Sequence, residues 1–390
     1  MIFTNRTFTM FEKICKSIRE VVQIECDRVP LHEPVFFGNE KKYLNECIDS
    51  TYVSSIGKFV DEVEKKICKY TGSRFAIATV NGTSALHVAL LVSGVKSGDE
   101  VITQPLTFVA TCNAISYCGA KPVFVDVDKD TMGLSPSALR DFLKNNAKIV
   151  NGLCVNKHTG NCIKACIPMH TFGHPCRIKE ISFICKKWNI SLVEDAAESL
   201  GSTYEGRHTG NFGNVGIFSF NGNKIVTAGG GGCIVTDNEQ VATRAKHITT
   251  TAKVPNKMGE FYHDEIGYNY RMPNVNAAIL TAQLENVSVI IEKKRQLAAD
   301  YLKKLKSIDA VFVKEPERCL SNYWLNTIIL ENKQQKIGFL KYAINNGIEV
   351  RPCWTLMNKM KIYQNCFSGK LPNSVWLSDR LVNIPSTVSL

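Results

Sequence analysis

The sequence predicts an α/β protein: a large domain built on a mainly parallel β-sheet, followed by a smaller α/β domain. Three observations carry this. Between residues 75 and 250, short apolar runs alternate with amphipathic helical patterns, the signature of strands covered by helices. From "YNYRMPNVNAAILTAQLENVSVIIEKKRQLAADYLKKLKSI" onward the pattern turns into one long helical stretch, then strand, helix, strand. At 390 residues the chain exceeds what one simple core accommodates. The expected division is 1–28 as an N-terminal helical extension, 29–270 as the large domain, and 271–390 as connecting helix and small domain.

Within the extension, Phe11, Ile14, Ile18, Val21 and Val22 recur at helical spacing. "VPLHEPVFFGNE" is extended and marked by proline, and "EKKYLNECID" is helical. "KFVDEVEKKICKYTG" is an amphipathic helix stopped by Gly72. The alternation then begins. Strands are expected at "FAIATV", "EVITQP", "KPVFVDVD", "NCIKACIPMH", "ISLVEDAA", "VGIFSF" and "GGCIVTD". Helices are expected at "NGTSALHVALLVSGV", "TFVATCNAISYCG", "SPSALRDFLKNN" and "IKEISFICKKWN". In the small domain, "YWLNTIIL", "KIGFLKYAINNG" and "IEVRPCW" form strand, helix and strand.

Composition narrows the function classes. Hydrophobic residues make up 44% and charged residues 21%, ordinary for a globular protein, and no apolar run reaches the length of a membrane span. The N-terminus lacks a compact apolar core with a cleavage site, so the expected location is cytoplasmic. The net charge is +11, but Lys and Arg are spread along helix faces rather than clustered among aromatics, which argues against nucleic-acid binding. Fifteen cysteines without a regular framework suggest reduced thiols, and "CIKAC" lacks the second ligand pair a metal site needs, so no metal is expected.

Three short motifs carry chemistry. "NGTSALH", 81–87, places small polar residues where a strand turns into a helix, and free N–H groups at a helix start suit a phosphate. The same turn could be an ordinary cap, with Thr83 or Ser84 as capping residue. "VEDAAES", 193–199, ends an apolar strand with Glu194 and Asp195, at the sheet edge where open α/β sheets bind ligands. An acid there can partner a protonated ring nitrogen, or it can be a cap or a surface acid. "SFNGNK" sets Lys224 in a tight turn behind the strand "NVGIFSF". A packed lysine loses solvation, which lowers its pKa and frees its amine as a nucleophile. Turn lysines are also common on surfaces. In this order, phosphate cradle, strand-end acid and lysine are what pyridoxal 5'-phosphate requires: an anchor, a partner for the pyridine nitrogen, and an amine for the aldehyde.

Over residues 29–386 the chain resembles the DegT/DnrJ/EryC1/StrS sugar aminotransferases, which have fold type I pyridoxal phosphate architecture. The resemblance rests on "NGTSALH", "DEVITQPLTFVATCNAI", "GAKPVFVDVD", "VEDAAES", "GRHTGNFGNVGIFSFNGNK", "GGGGCIVT" and "GYNYRMPNVNAAI", in that order. It implies Lys224 as the Schiff-base lysine and Asp195 as the acid facing the pyridine nitrogen. Gly82, Thr83 and Ser219 match phosphate-binding positions, and Phe108 matches the aromatic stacked on the ring. Ala197 would lie under the opposite ring face. Glu198 stands near the ring hydroxyl, where the family often has Gln or His. Asn269 matches a residue that reaches the phosphate of the neighbouring subunit, which implies a homodimer with shared active sites; Arg271 is a rim candidate. After the lysine the chain has "TAGGGG" where the family commonly carries an acidic residue, and these glycines let the backbone turn closely behind the site.

"PLHEPVFFGNEKKYLNECIDSTYVSSIGKFVDEVE" narrows the resemblance to the legionaminic acid and bacillosamine type, with "STYVSSIGKFV" at the substrate entrance. The implied reaction moves an amino group from glutamate to C4 of a nucleotide-linked 4-keto-6-deoxy sugar, with UDP-4-keto-6-deoxy-N-acetylglucosamine expected. GDP- or dTDP-linked sugars, or a non-catalytic ligand sensor, are alternatives. Related sugar dehydratases carry His at the lysine position, so Lys224 argues against that chemistry. A nicotinamide-dependent oxidoreductase would need a glycine fingerprint after the first strand, and there is none.

Overall fold

A computed structural model describes residues 5–23, 27–254, 261–308 and 310–388. Seven strands form the central sheet: β1 (Phe75–Thr79), β2 (Glu100–Thr103), β3 (Lys121–Phe124), β4 (Ile163–Ile167), β5 (Ser191–Asp195), β6 (Val215–Ser219) and β7 (Gly232–Thr236). Their order across the sheet is β1-β7-β6-β5-β4-β2-β3. The pairs β6–β5, β5–β4, β4–β2 and β2–β3 are parallel; β7 runs antiparallel to both β1 and β6.

Side chains alternate across a strand with period two, and both faces of this sheet are apolar. Ile77, Val101, Val193, Ile217 and Ile234 point to one face, where they pack on the helices α1 (Gly82–Val92), α2 (Val109–Tyr117) and α3 (Glu239–Thr249). Ile102, Val123, Cys166 and Leu192 point to the other, against Pro136–Asn146 and Ile178–Lys187. On that same side Phe218, Cys233 and Val235 meet the helices Lys58–Thr71 and Asn274–Glu285. Lys58–Thr71 ends at Gly72, whose φ of +78° and N–H bond to Cys68 O close the last turn. The helix Glu239–Thr249 lies outside the expected elements; Asn238 caps it through its side chain.

A second, antiparallel sheet of four strands joins Val311–Phe312, Asn326–Ile329, Leu381–Ile384 and Arg351–Pro352, in that spatial order. The N-terminal helix Asn5–Val22 packs here: its Phe11, Ile14, Ile18 and Val22 are buried with Leu297, Tyr301, Ile328, Phe339 and Val382. Of the long helical stretch expected after residue 270, the structure makes two helices, Asn274–Glu285 and Val287–Leu305, broken at Asn286 (φ −112°, ψ 6°). Among the described residues every cysteine is a free thiol, and no helix is long and apolar enough to cross a membrane.

Candidate active site

The C-terminal ends of β1, β5 and β6 open onto a cavity of about 510 Å³. Gly82, Thr83, Phe108, Asp195, Ala197, Glu198, Ser219 and Lys224 all line it. Asn269 does not: it is exposed, and its backbone bridges to Thr250. From "STYVSSIGKFV" no residue lines this cavity; Tyr52, Gly57, Lys58 and Phe59 border a separate depression with Asn274.

At the cradle end, β1 runs into α1 and the N-cap is Asn81, whose Oδ1 accepts from Ser84 N at 2.7 Å. Thr83 and Ser84 are therefore not the caps, although both were eligible from sequence. The first N–H groups of a helix have no acceptor within it, so those of Gly82 and Thr83 remain available at the cavity wall. Gly82 is held to glycine by packing: a Cβ there would lie 2.9 Å from Ser219 Cβ. Behind the cradle, a Cβ on Gly232 would come within 2.4 Å of Asn81 O, so the last glycine of "TAGGGG" lets β7 run against the start of α1.

The two acids at the end of β5 part company, as neighbours on a strand must. Glu194 is a structural group. It accepts from His170 Nε2 at 3.1 Å, Gly210 N at 2.9 Å and Gly213 N at 2.7 Å. Asp195 faces the cavity; its Oδ2 accepts from Thr111 Oγ1 at 2.8 Å and its Oδ1 from Ala197 N at 3.2 Å. Burial pushes the Asp195 carboxyl above its ordinary pKa, against the pull of these two donors.

Lys224 follows β6 in a turn closed by its N–H bond to Asn221 O. Its side chain is only 12% exposed. Nζ lies 3.2 Å from Glu198 Oε1 and 3.9 Å from the centroid of the Trp324 ring. Trp324 is pinned in turn, its Nε1 donating to Asn223 O at 2.5 Å. Glu198 is sealed; burial drives its carboxyl up to about 7, while Lys224 and the Phe172 N–H, 2.9 Å from Oε2, pull it down. Thr111, Trp324 and His32 complete the surroundings and are not among the site residues expected from sequence, although Thr111 lies in "DEVITQPLTFVATCNAI" and His32 in "PLHEPVFFGNEKKYLNECIDSTYVSSIGKFVDEVE". Trp324 sits in an apolar run that predicts only a strand, Thr111 inside a helix, and His32 in an extended segment, so no local pattern singles them out.

The arrangement puts the Lys224 amine, the buried Asp195 carboxyl and the start of helix α1 around one cavity. A family description for DegT/DnrJ/EryC1/StrS aminotransferases matches residues 37–390. GDP-perosamine synthase of Escherichia coli O157:H7 is 36% identical over 362 residues, covering 93% of this chain and 94% of that protein. GDP-perosamine synthase of Vibrio cholerae is 36% identical over 361 residues, covering 92% and 94%. Among solved structures, a DegT DnrJ EryC1 StrS aminotransferase from Brucella abortus matches with a TM-score of 0.80 at 26% identity, over 89% of this chain and 90% of that one. Helicobacter pylori PseC, an aminotransferase involved in the biosynthesis of pseudoaminic acid, shares the fold with a TM-score of 0.83 at 22% identity, over 92% and 93%. On this evidence the chain belongs to the DegT/DnrJ/EryC1/StrS aminotransferase family.

Proposed function

We propose that the protein uses pyridoxal 5'-phosphate to transfer an amino group from glutamate to C4 of a nucleotide-linked 4-keto-6-deoxy sugar. The observation that carries this reading is the convergence of Lys224, Asp195 and the Gly82–Ser219 cradle on one cavity. The residues fit the cofactor: Gly82 and Thr83 open a helix at the cavity wall, where its first N–H groups have no acceptor within the helix, and Gly82 lacks the Cβ that would crowd Ser219 there. Ser219 adds a hydroxyl, and Phe108 and Ala197 are the groups for the two ring faces.

When bound, the cofactor supplies an aldehyde that receives the amino group and a ring that takes up the electron pair left when a proton leaves carbon. Asp195, buried and anchored by Thr111, holds a proton at the ring nitrogen. Lys224 would hold the cofactor through its amine, and the free amine would move a proton at the donor Cα and then at C4 of the sugar. Trp324 and Glu198 hold its Nζ at the cavity wall. A homodimer completes the site, with exposed Asn269 of one protomer reaching the phosphate bound by its partner.

The motif "PLHEPVFFGNEKKYLNECIDSTYVSSIGKFVDEVE" favours UDP-4-keto-6-deoxy-N-acetylglucosamine as the sugar. A GDP-linked keto sugar is the second reading, favoured by two relatives named GDP-perosamine synthase over more than nine-tenths of their length. The test is the absorbance spectrum of protein supplied with cofactor. An imine band that disappears on adding glutamate, and is missing in Lys224→Ala, supports the reading; a wild type with no band sinks it. A panel of UDP-, GDP- and dTDP-linked 4-keto sugars with glutamate then selects the substrate.

A further inference from the structure

The far wall of the cavity comes from the segment after the N-terminal helix and from the small sheet: His32, Glu349, Arg351 and Asn383. None of these residues has a role in the proposed proton transfers or in holding the cofactor. Their charges and hydrogen bonds leave a specific remainder.

Five charged side chains line the cavity. Lys224 is matched by Glu198. Asp195 is reserved for the ring nitrogen. Glu349 is satisfied from outside: Oε1 accepts from Arg28 Nε at 2.7 Å and Oε2 from Leu31 N at 3.2 Å. Arg351 has no carboxylate within ion-pair distance among the described residues, and no hydrogen bond of its guanidinium is found there; its charge acts only at longer range, helping to hold the Glu349 carboxyl below its ordinary pKa. Beside it, Asn383 spends its Oδ1 on Thr327 Oγ1 at 2.8 Å, which leaves its Nδ2 donors for the cavity. Neither ring nitrogen of His32 is hydrogen-bonded to the protein, and Nδ1 is sealed from solvent without a partner. A sealed polar nitrogen without a protein partner is costly, and water, an ion or a ligand group can complete it. His32 is also kept neutral, by burial first and then by the charges of Lys294 and Lys224. It is therefore an uncharged group with one ring N–H to donate, and Arg351 supplies the positive charge.

We propose that His32, Arg351 and Asn383 form an oxyanion-binding subsite in this cavity, which positions one of the two substrates. The subsite has one cation and neutral polar groups in a concave wall, and guanidinium groups bind planar or tetrahedral oxyanions through paired N–H donors. Two oxyanions enter this site under the proposed function, on which the inference rests: a carboxylate of the amino donor and the diphosphate of the nucleotide sugar. His32, Arg351 and Asn383 act by holding a substrate, and Lys224 performs the proton transfers.

The test uses Arg351→Gln and His32→Phe in the full-length, cofactor-loaded protein. Thermal midpoints are checked first. Arg351 is exposed, so Arg351→Gln is expected to fold normally and remains decisive if His32→Phe does not. In Arg351→Gln, KM for one substrate is expected to rise about tenfold or more with kcat changed much less, as for loss of a charge-assisted hydrogen bond. A rise for glutamate assigns the carboxylate; a rise for the keto sugar assigns the diphosphate. His32→Phe should move the same KM in the same direction. Both KM values staying within about twofold of wild type overturns the subsite. Calorimetry with 2-oxoglutarate, UDP and GDP gives a second readout independent of turnover. Binding by wild type that is lost in Arg351→Gln upholds the subsite even if no keto sugar is converted and the functional reading fails. Equal binding by both proteins, or none by wild type, overturns it.

Discussion

Lys224 Nζ and Glu198 Oε1 stand 3.2 Å apart, with the lysine side chain 12% exposed and the glutamate side chain 1%. The acid pays the desolvation cost: its carboxyl is raised from the ordinary 4.5 to about 7. Between those two pH values the native state holds more protons than the unfolded chain, so stability falls as pH rises through the window. Glu198→Gln removes the titration while leaving a carboxamide oxygen for the Phe172 N–H. In cofactor-free protein, the stability difference between wild type and Glu198→Gln is expected to shift against wild type by about 3 kcal/mol from pH 4.5 to 7. Urea unfolding midpoints across that range measure it. A difference that stays flat with pH removes Glu198 as the titrating group.

Gly82 and Ser219 make the second prediction. A methyl group on Gly82 would sit 2.9 Å from Ser219 Cβ, inside van der Waals contact and on the wall of the proposed phosphate cradle. Alanine suits the first turn of a helix, so the fold should survive with a penalty of about 1–3 kcal/mol from the tight contact. Affinity for pyridoxal 5'-phosphate should drop about tenfold or more, because the cradle relaxes only by moving the backbone N–H groups it depends on. Titration with the cofactor, followed by absorbance, reads this directly. Unchanged affinity in Gly82→Ala would place the phosphate elsewhere.

His208 governs acid stability in the opposite sense from Glu198. Its Nε2 accepts from Gly201 N at 2.7 Å and its Nδ1 lies 2.5 Å from Thr209 O, an arrangement that requires the neutral ring with its proton on Nδ1. Burial lowers its pKa from 6.5 to about 4. As pH falls through that interval the unfolded chain takes up a proton that the native state refuses, and on the order of 3 kcal/mol of stability is lost. Buried His174, also lowered to about 4, adds a loss of the same sign. The expected result for His208→Asn is a shallower acid limb than wild type in a plot of urea midpoint against pH. Equal slopes would mean that the ring is already charged in the native state.

The strands and most helices of the large domain were legible because each rests on a local regularity. Period-two apolar runs such as "FAIATV" and "ISLVEDAA", and caps such as Gly72, act over a few residues. That Gly82, Thr83, Asp195 and Lys224 meet at one cavity was legible through their order along the chain, since each lies at or just after a strand end. Trp324, His32 and Asn383 were not. They reach the cavity through tertiary packing from segments distant in sequence, and an apolar run or a proline-marked loop contains nothing that says which side chain faces a site. The break at Asn286 was hidden for a related reason: apolar spacing continues across it with no glycine or proline, and only packing shows that the chain changes direction. Glu194 and Asp195 looked equivalent in sequence, and the strand pleat separated them.

Asn274 links the family motif "GYNYRMPNVNAAI" to the loop that precedes the helix Lys58–Thr71, and it yields the last prediction. It is 2% exposed. Oδ1 accepts from Phe59 N at 3.1 Å; Nδ2 donates to Tyr52 O at 2.7 Å; and its own N donates to Ser54 O at 2.6 Å. Together these bonds hold a loop that displays Tyr52, Val53 and Ile56 to solvent. Asn274→Ala keeps the backbone bond but leaves the Phe59 N–H and the Tyr52 carbonyl unpaired, at a cost of about 2 kcal/mol. The damage should be local: amide hydrogen exchange should speed up in residues 51–59 while the sheet strands keep their protection. If the loop is the substrate entrance that its sequence resembles, KM for the keto sugar should rise as well, with the spectrum of the bound cofactor unchanged. Exchange that accelerates evenly across the large domain would instead make Asn274 a general packing residue, and the loop would lose its claim to being held in place for a ligand.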